Sequence, residues 1–175
     1  MEFGIRRATI EDSRAIARVQ VESWKTTYAG IVPHDYLAAM DVELRMERWR
    51  EAFAIEGMIL LVAEDASGIF GFASGGKLRE PMQGYDSELF AIYLLKQQQG
   101  TGTGRRLFEE QARLIAGAGY KAMALWVLRK NPAVGFYQHM GGIEVGQKKI
   151  EIGGELLDEV AFGWPKLDGF TGKAV

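Results

Sequence analysis

Residues 87–107 read SELFAIYLLKQQQGTGTGRRL, and the fold turns on them. The first part is nearly all apolar, with Phe90, Ile92 and Tyr93 in it, which predicts a strand buried on both faces. Gly100, Gly102 and Gly104 then alternate with threonines before Arg105 and Arg106. From there GTGRRLFEEQARLIAGAG predicts a helix: Phe108, Ala112 and Ile115 make one apolar stripe beside Leu107 and Leu114, ended by Gly117 and Gly119. A Gly-rich turn from strand into helix gathers backbone N–H groups at the helix N-terminus. It removes the Cβ atoms that keep an anion away, and the helix dipole favours negative charge there. The same glycines also suit a simple tight connection, so the loop alone leaves both readings open.

Working outward, residues 3–7 predict a short first strand and residues 8–24 a helix. Thr9 is its N-cap with Asp12 three residues on, and Ala15, Ile16, Val19 and Ser23 share one face. TTYAGIVP is a loop. HDYLAAMDVELRMERWREAFA is a second amphipathic helical region broken near Asp41, with Trp49 turned inward from a solvated face. MILLVAE and IFGFASGGKL, separated by DASG, predict an antiparallel hairpin. AMALWVL predicts another buried strand, NPAVGFYQHMGG a short helix capped by Asn131 with Pro132 in its first turn, and EVGQKKIEI with LLDEVAFGW a last hairpin. The order predicts a mixed α/β (α+β) architecture, a sheet with helices on both sides. It forms one domain over 3–166, with a short tail at 167–175.

Composition narrows the function. A formal charge of −2 argues against a nonspecific nucleic-acid binder. The chain has no cysteine, which removes disulfides, thiolate metal sites and a Cys nucleophile. Only His34 and His139 are available for a His-based metal site or triad, and they read as a helix cap and an exposed helical turn. No apolar run is long enough to span a bilayer and the start lacks a signal-peptide core, so the expected location is the cytoplasm. A Walker loop fails because Gly104 is followed by Arg105 and Arg106. A GxGxxG fingerprint fails at Leu107 and at Arg105.

A third pattern fits. Gln99-Gly-Thr-Gly102-Thr-Gly104 resembles the Gln/Arg-x-x-Gly-x-Gly/Ala motif of the GNAT superfamily of acyl-CoA-dependent N-acetyltransferases. The downstream NPAVGFYQHMGG is similar to that family's Asn-x-x-Ala-x-x-Phe-Tyr-x-x-x-Gly-Phe segment. Two details depart from the pattern: Ala133 comes one residue early after Asn131, and Gly142-Ile143 replaces Gly-Phe. The resemblance implies a mostly antiparallel sheet of about seven strands, splayed between the fourth and fifth. It implies acetyl-CoA as donor, its pyrophosphate against the amides of Gln99, Gly100, Thr101, Gly102, Thr103, Gly104 and Arg105. The pantetheine arm would meet backbone groups of Ile92, Tyr93 and Leu94, facing Asn131, with Phe136 beside it and Tyr137 near the sulfur.

Amine acetylation needs a base for an ammonium, a donor to the developing oxyanion and an acid for the thiolate. Glu88 is the candidate base, acting through a water. Strand alternation sets it on the same side as Leu94, about 20 Å away by strand rise. It reads equally as an exposed carboxylate at a strand start. Tyr137 is the candidate acid, and a backbone N–H near Leu94 the carbonyl polariser. Trp24 and Tyr28 are candidates for the acceptor pocket or, equally, for packing under their loop. The expected partner is a small-molecule or protein amine, with no nucleic acid or membrane, and a homodimer through the C-terminal hairpin is possible. The competing reading is a noncatalytic acyl-CoA-binding module.

Overall fold

The structure, a computed structural model, describes residues 3–170. Its elements run β1 (Gly4–Arg7), α1 (Ser13–Thr27), α2 (His34–Ala38), α3 (Val42–Ala52), β2 (Ile59–Asp65), β3 (Gly68–Lys77) and β4 (Ser87–Leu94). Then follow α4 (Thr103–Gly117), β5 (Met123–Leu128), α5 (Ala133–His139), β6 (Ile143–Ile152) and β7 (Glu155–Trp164). Local chemistry sets the boundaries. Thr9 and Asp12 cap each other ahead of α1, the Thr9 N–H donating to Asp12 Oδ2 at 2.8 Å, while Arg6 grips the same carboxylate at 2.7 and 3.0 Å. The break expected near Asp41 is there: Asp41 accepts from the Leu44 N–H at 2.9 Å and starts α3. Gly153 and Gly154, at φ of 60° and 82°, make the two-residue turn of the last hairpin.

The seven strands form one sheet in the order β1-β2-β3-β4-β5-β7-β6. All its neighbours are antiparallel except β4 and β5. One face carries α4 and α5 over Phe108, Ile115, Met123, Leu125, Phe162 and Trp164. The other carries α1 and α3 over Ile16, Val19, Val62 and Phe72, with Trp49 edge-on to Phe72 at 5.1 Å. The expected tail begins inside the core, because Leu167 is buried and Phe170 packs on Phe108 at 5.8 Å. Residues 171–175 of that tail lie outside the described residues.

Two features position the site. First, β4 and β5 pair only at Ser87–Met123 and Glu88–Ala124, so beyond Glu88 the strands separate. Their closed end is clamped: Asp86 accepts from the N–H groups of Lys121 and Ala122, and Ser87 Oγ donates to the Ala122 carbonyl at 2.8 Å. Second, Gly75 pairs with Leu89 and Ser74 with Ala91, leaving Phe90 as the extra residue of a β-bulge. A bulge adds twist and reverses side-chain parity, and here it falls where the strands part.

Candidate active site

The glycine loop enters α4 with Gly100 at φ 75° and Gly102 at φ 88°, a region that disfavours any Cβ. A Cβ built at either position meets nothing within 4 Å, so the loop is an open cradle rather than a packed connection. The first helical bond of α4 runs from the Arg106 N–H to the Gly102 carbonyl. The N–H groups of Thr103, Gly104 and Arg105 therefore have no acceptor in their helix, and among the described residues no side chain caps it. Thr101 Oγ1 bonds the Gln98 carbonyl at 2.7 Å and the Thr103 hydroxyl at 2.9 Å, and Gln99 Nε2 donates to the Leu94 carbonyl at 3.2 Å. Arg105 donates to His139 Nε2 at 3.0 Å, which with Lys96 makes this mouth of the cleft basic. His139 thus belongs to the cleft, which its place on an exposed turn did not announce.

From the cradle the cleft, about 1000 Å³, runs along the gap between β4 and β5. The Leu95 N–H donates to the Phe70 carbonyl at 2.9 Å, and Tyr93 lies opposite Phe72. By alternation, the main chain of Tyr93 faces β3 while that of Ile92 and Leu94 faces the gap. The Leu94 carbonyl is itself taken by Ser23 Oγ at 3.0 Å and by Gln99. The expected set of free backbone groups is thereby corrected: Ile92 and the Leu94 N–H remain, and Tyr93 offers its side chain instead.

Tyr137 and Phe136 come from α5. Phe136 touches Tyr137 at 5.2 Å and Phe108 at 6.3 Å between ring centroids, and its ring stands near Gly104. Tyr137 is buried beside Trp164 and lines the cleft, and its hydroxyl makes no hydrogen bond among the described residues. Burial, then the neighbouring Tyr93 phenol, holds its pKa well above that of a free tyrosine, so it is a protonated donor at neutral pH. Both polar atoms of the Asn131 side chain bond protein. Its Oδ1 accepts from the Ala133 N–H at 2.8 Å, and its Nδ2 donates to the Tyr28 hydroxyl at 3.0 Å. Trp24 stacks at a tilt on Tyr28, 4.6 Å between centroids, with the Tyr93 ring at 6.4 Å. Trp24, Tyr28 and Asn131 line one wall of the cleft.

Glu88 departs most from its expected setting. The Phe90 bulge puts Leu89, Ile92 and Leu94 on the α4 face and Ala91 and Tyr93 on the α1 face. Glu88, next to Leu89, therefore faces the α1 side with Tyr93, and its alternation with Leu94 fails. Nor is it an exposed strand-start carboxylate, for its side chain is only 4% exposed. Its Oε1 accepts from the Nε of Arg79 at 3.1 Å and, more closely, from Nη2, while Oε2 accepts from the Arg79 N–H at 3.2 Å. That hydrogen bonding holds the Arg79 guanidinium above its ordinary pKa.

Beyond Glu88 the cleft opens onto residues that the motifs did not flag. Phe90 lies under Arg79 at 4.8 Å, and Lys148 sits over the Trp126 ring at 4.4 Å while bonding Glu80 at 3.0 Å. Glu159 of β7, opposite Leu128 on β5 and Lys148 on β6, completes the floor. A sequence signal for this floor existed: alternation in LLDEVAFGW sets Glu159 on a face with Ala161 and Gly163, where small side chains leave room. The loop between β3 and β4 fills that room, the Tyr85 ring lying against Gly163. Among the described residues no cluster of His, Asp and Glu is placed to hold a metal ion, and no helix is long and apolar enough to cross a membrane.

Known proteins resemble this chain in sequence and in fold. The family model for FR47-like proteins matches residues 68–150. The chain is 41% identical over 164 residues to the uncharacterised N-acetyltransferase YuaI of Bacillus subtilis, covering 93% of each. It is 27% identical to the spermidine N(1)-acetyltransferase of Thermoplasma acidophilum, covering 83% of this chain and 90% of that one. Its fold superposes on yncA of Salmonella typhimurium, solved with its cofactor acetyl-CoA, at a TM-score of 0.73 and 23% identity, covering 100% of this chain and 98% of that one. The chain belongs to the GNAT superfamily of N-acetyltransferases. It is an acetyl-CoA-dependent enzyme, and its residues fit that donor: an uncapped helix start beside an open glycine cradle leads into a gap edged by unpaired main chain.

Proposed function

We propose that the chain acetylates the primary amine of a cationic acceptor by direct attack in a ternary complex. The observation that carries this reading is the polarity of a single continuous cleft. One end carries Lys96, Arg105 and His139 around the free amides of α4, suited to the donor's phosphates. The other end carries three carboxylates, Glu80, Glu88 and Glu159, against the two cations Arg79 and Lys148. With Trp126, Phe90 and Tyr93 alongside, that acidic end suits a protonated amine on an aliphatic stem. The related T. acidophilum protein named for spermidine supports the same acceptor class.

Bound acetyl-CoA supplies a thioester carbonyl open to an amine and a thiolate that can leave. The amides of Thr103, Gly104 and Arg105 and the Arg105 side chain bind the donor's anionic end. The Leu94 N–H, facing the gap, stabilises negative charge on a carbonyl oxygen there. Tyr137 holds the proton that a departing thiolate needs, its hydroxyl making no hydrogen bond among the described residues. Glu88 fixes Arg79, and so the wall of the acceptor end. Its assigned role is thus positional. We further place the protein in the cytoplasm and read it as a homodimer, a reading supported by the exposed Leu156 at the tip of the β6–β7 hairpin.

Free-thiol release over a panel of mono-, di- and polyamines and amino acids tests the reading. Turnover should favour polycations, with intersecting initial-rate lines when both substrates are varied. Parallel lines, or preference for acidic or neutral acceptors, would refute it.

A further inference from the structure

We propose that Glu159 is the group that takes the proton from the acceptor's ammonium, a role for which strand position makes Glu88 the sequence's candidate. The proposal rests on the acetyltransferase reading above and on the hydrogen-bond inventory of the acceptor end. Three carboxylates line it. Glu80 is held by Lys148 at 3.0 Å. Glu88 accepts three N–H donors from Arg79. Glu88 is committed to that pairing in a site where its side chain is almost wholly enclosed. Glu159 makes neither a hydrogen bond nor an ion pair among the described residues, yet it is only partly exposed and lines the cleft.

Its position suits the task. Opposite Leu128 at the end of β5, Glu159 shares the sheet face of Trp126, one strand from the opened gap. The charged groups that face it are Lys148 on β6, Arg79 and Glu80 in the loop after β3, and Glu88 on β4. Burial, the largest influence, raises its pKa above the usual carboxylate range. Lys148 and Arg79 act downward, Glu80 and Glu88 upward. A base matched to an ammonium near neutral pH gains from that direction. In the step, one N–H bond of the ammonium breaks, directly or through one water, and its electron pair stays on nitrogen. The proton forms an O–H bond on Glu159, and the freed lone pair is the nucleophile.

The test compares wild type, Glu159→Gln, Glu159→Asp and Glu88→Gln, using acetyl-CoA and the amine of the panel that wild type turns over fastest. Glu159→Gln should lower kcat/KM about 100-fold and abolish the acid limb of its pH profile, with Glu159→Asp recovering part of both. Calorimetric binding of acetyl-CoA should be unchanged. In the substrate-free protein, ¹³C NMR of the glutamate carboxyls should show one resonance titrating above the others and absent from Glu159→Gln. A Glu159→Gln variant that raises KM alone and keeps kcat and the acid limb would overturn the proposal while leaving the acetyltransferase reading intact. So would a limb lost only in Glu88→Gln. A wild type that binds acetyl-CoA but releases no thiol with any amine would overturn both.

Discussion

Arg79 reaches the buried carboxylate of Glu88 with both its guanidinium and its own backbone N–H, tying the loop after β3 to the point where β4 leaves β5. The pair closes one side of the acceptor end, and removing either partner has a definite cost. Arg79→Ala leaves a carboxylate enclosed without its countercharge. The variant should lose about 1–3 kcal/mol, toward the low end because Arg79 is 61% exposed. Urea denaturation measures it, and the KM for the amine should rise with it. Glu88→Gln should cost less, since a neutral amide still accepts from Arg79.

Tyr137→Phe removes a hydroxyl that bonds to no described residue, so the melting temperature should stay as it is. Loss of the proton donor should lower kcat about 100-fold. Affinity for acetyl-CoA should not change. Stopped-flow and calorimetry separate the two, and an unchanged kcat would remove the acid role.

Gly102→Glu brings a Cβ to φ 88° and a negative charge to the cradle. Strain at that backbone angle costs about 1–2 kcal/mol, which the fold should survive. Donor binding should vanish, because the carboxylate repels the phosphates that the α4 amides bind. Retained affinity would displace the donor from this loop.

Gly75→Ala probes the bulge. Its Cβ would stand 2.7 Å from the Glu88 carbonyl oxygen and 2.9 Å from Gln111 Nε2, closer than real contacts allow. A loss of about 1–3 kcal/mol is expected from the overpacking, together with reduced kcat as β4 shifts. Wild-type stability in this variant would show that the strand has slack there.

Asp12 gives a pH signature separate from catalysis. Arg6, chiefly, and the Thr9 N–H hold its carboxyl below the usual range in the folded chain. A lowered folded pKa means stability that is complete above the unfolded value, about 4, and that fades as pH falls toward the folded value. Asp12→Asn should therefore be less stable than wild type at neutral pH. The difference should shrink as both are titrated through that acid window.

Much of this architecture is legible in the residues. The cap at Thr9, the break at Asp41 and the Gly153–Gly154 turn each have a local cause that their own side chains or glycines announce. The glycine loop and the NPAVGFY helix are equally local, which is why the donor end reads from sequence. The bulge at Phe90 is hidden because SELFAIYLL is apolar on both sides of the strand, so a shift in parity changes no pattern. Plain alternation along this run therefore puts Glu88 with Leu94. Arg79, Trp126, Lys148 and Glu159 come together from four separate strands and loops, and only the sheet order β5-β7-β6 makes them neighbours. Long-range assembly of this kind leaves little trace in spacing.

Mass spectrometry of an amine panel incubated with acetyl-CoA and the protein separates acetyl transfer from mere donor binding. One acetyl group should be added to a primary amine of a cationic acceptor, in step with the CoA released, and none with Gly102→Glu. Saturable binding of acetyl-CoA with no acetylated amine anywhere in the panel would contradict it and leave a binding module in its place.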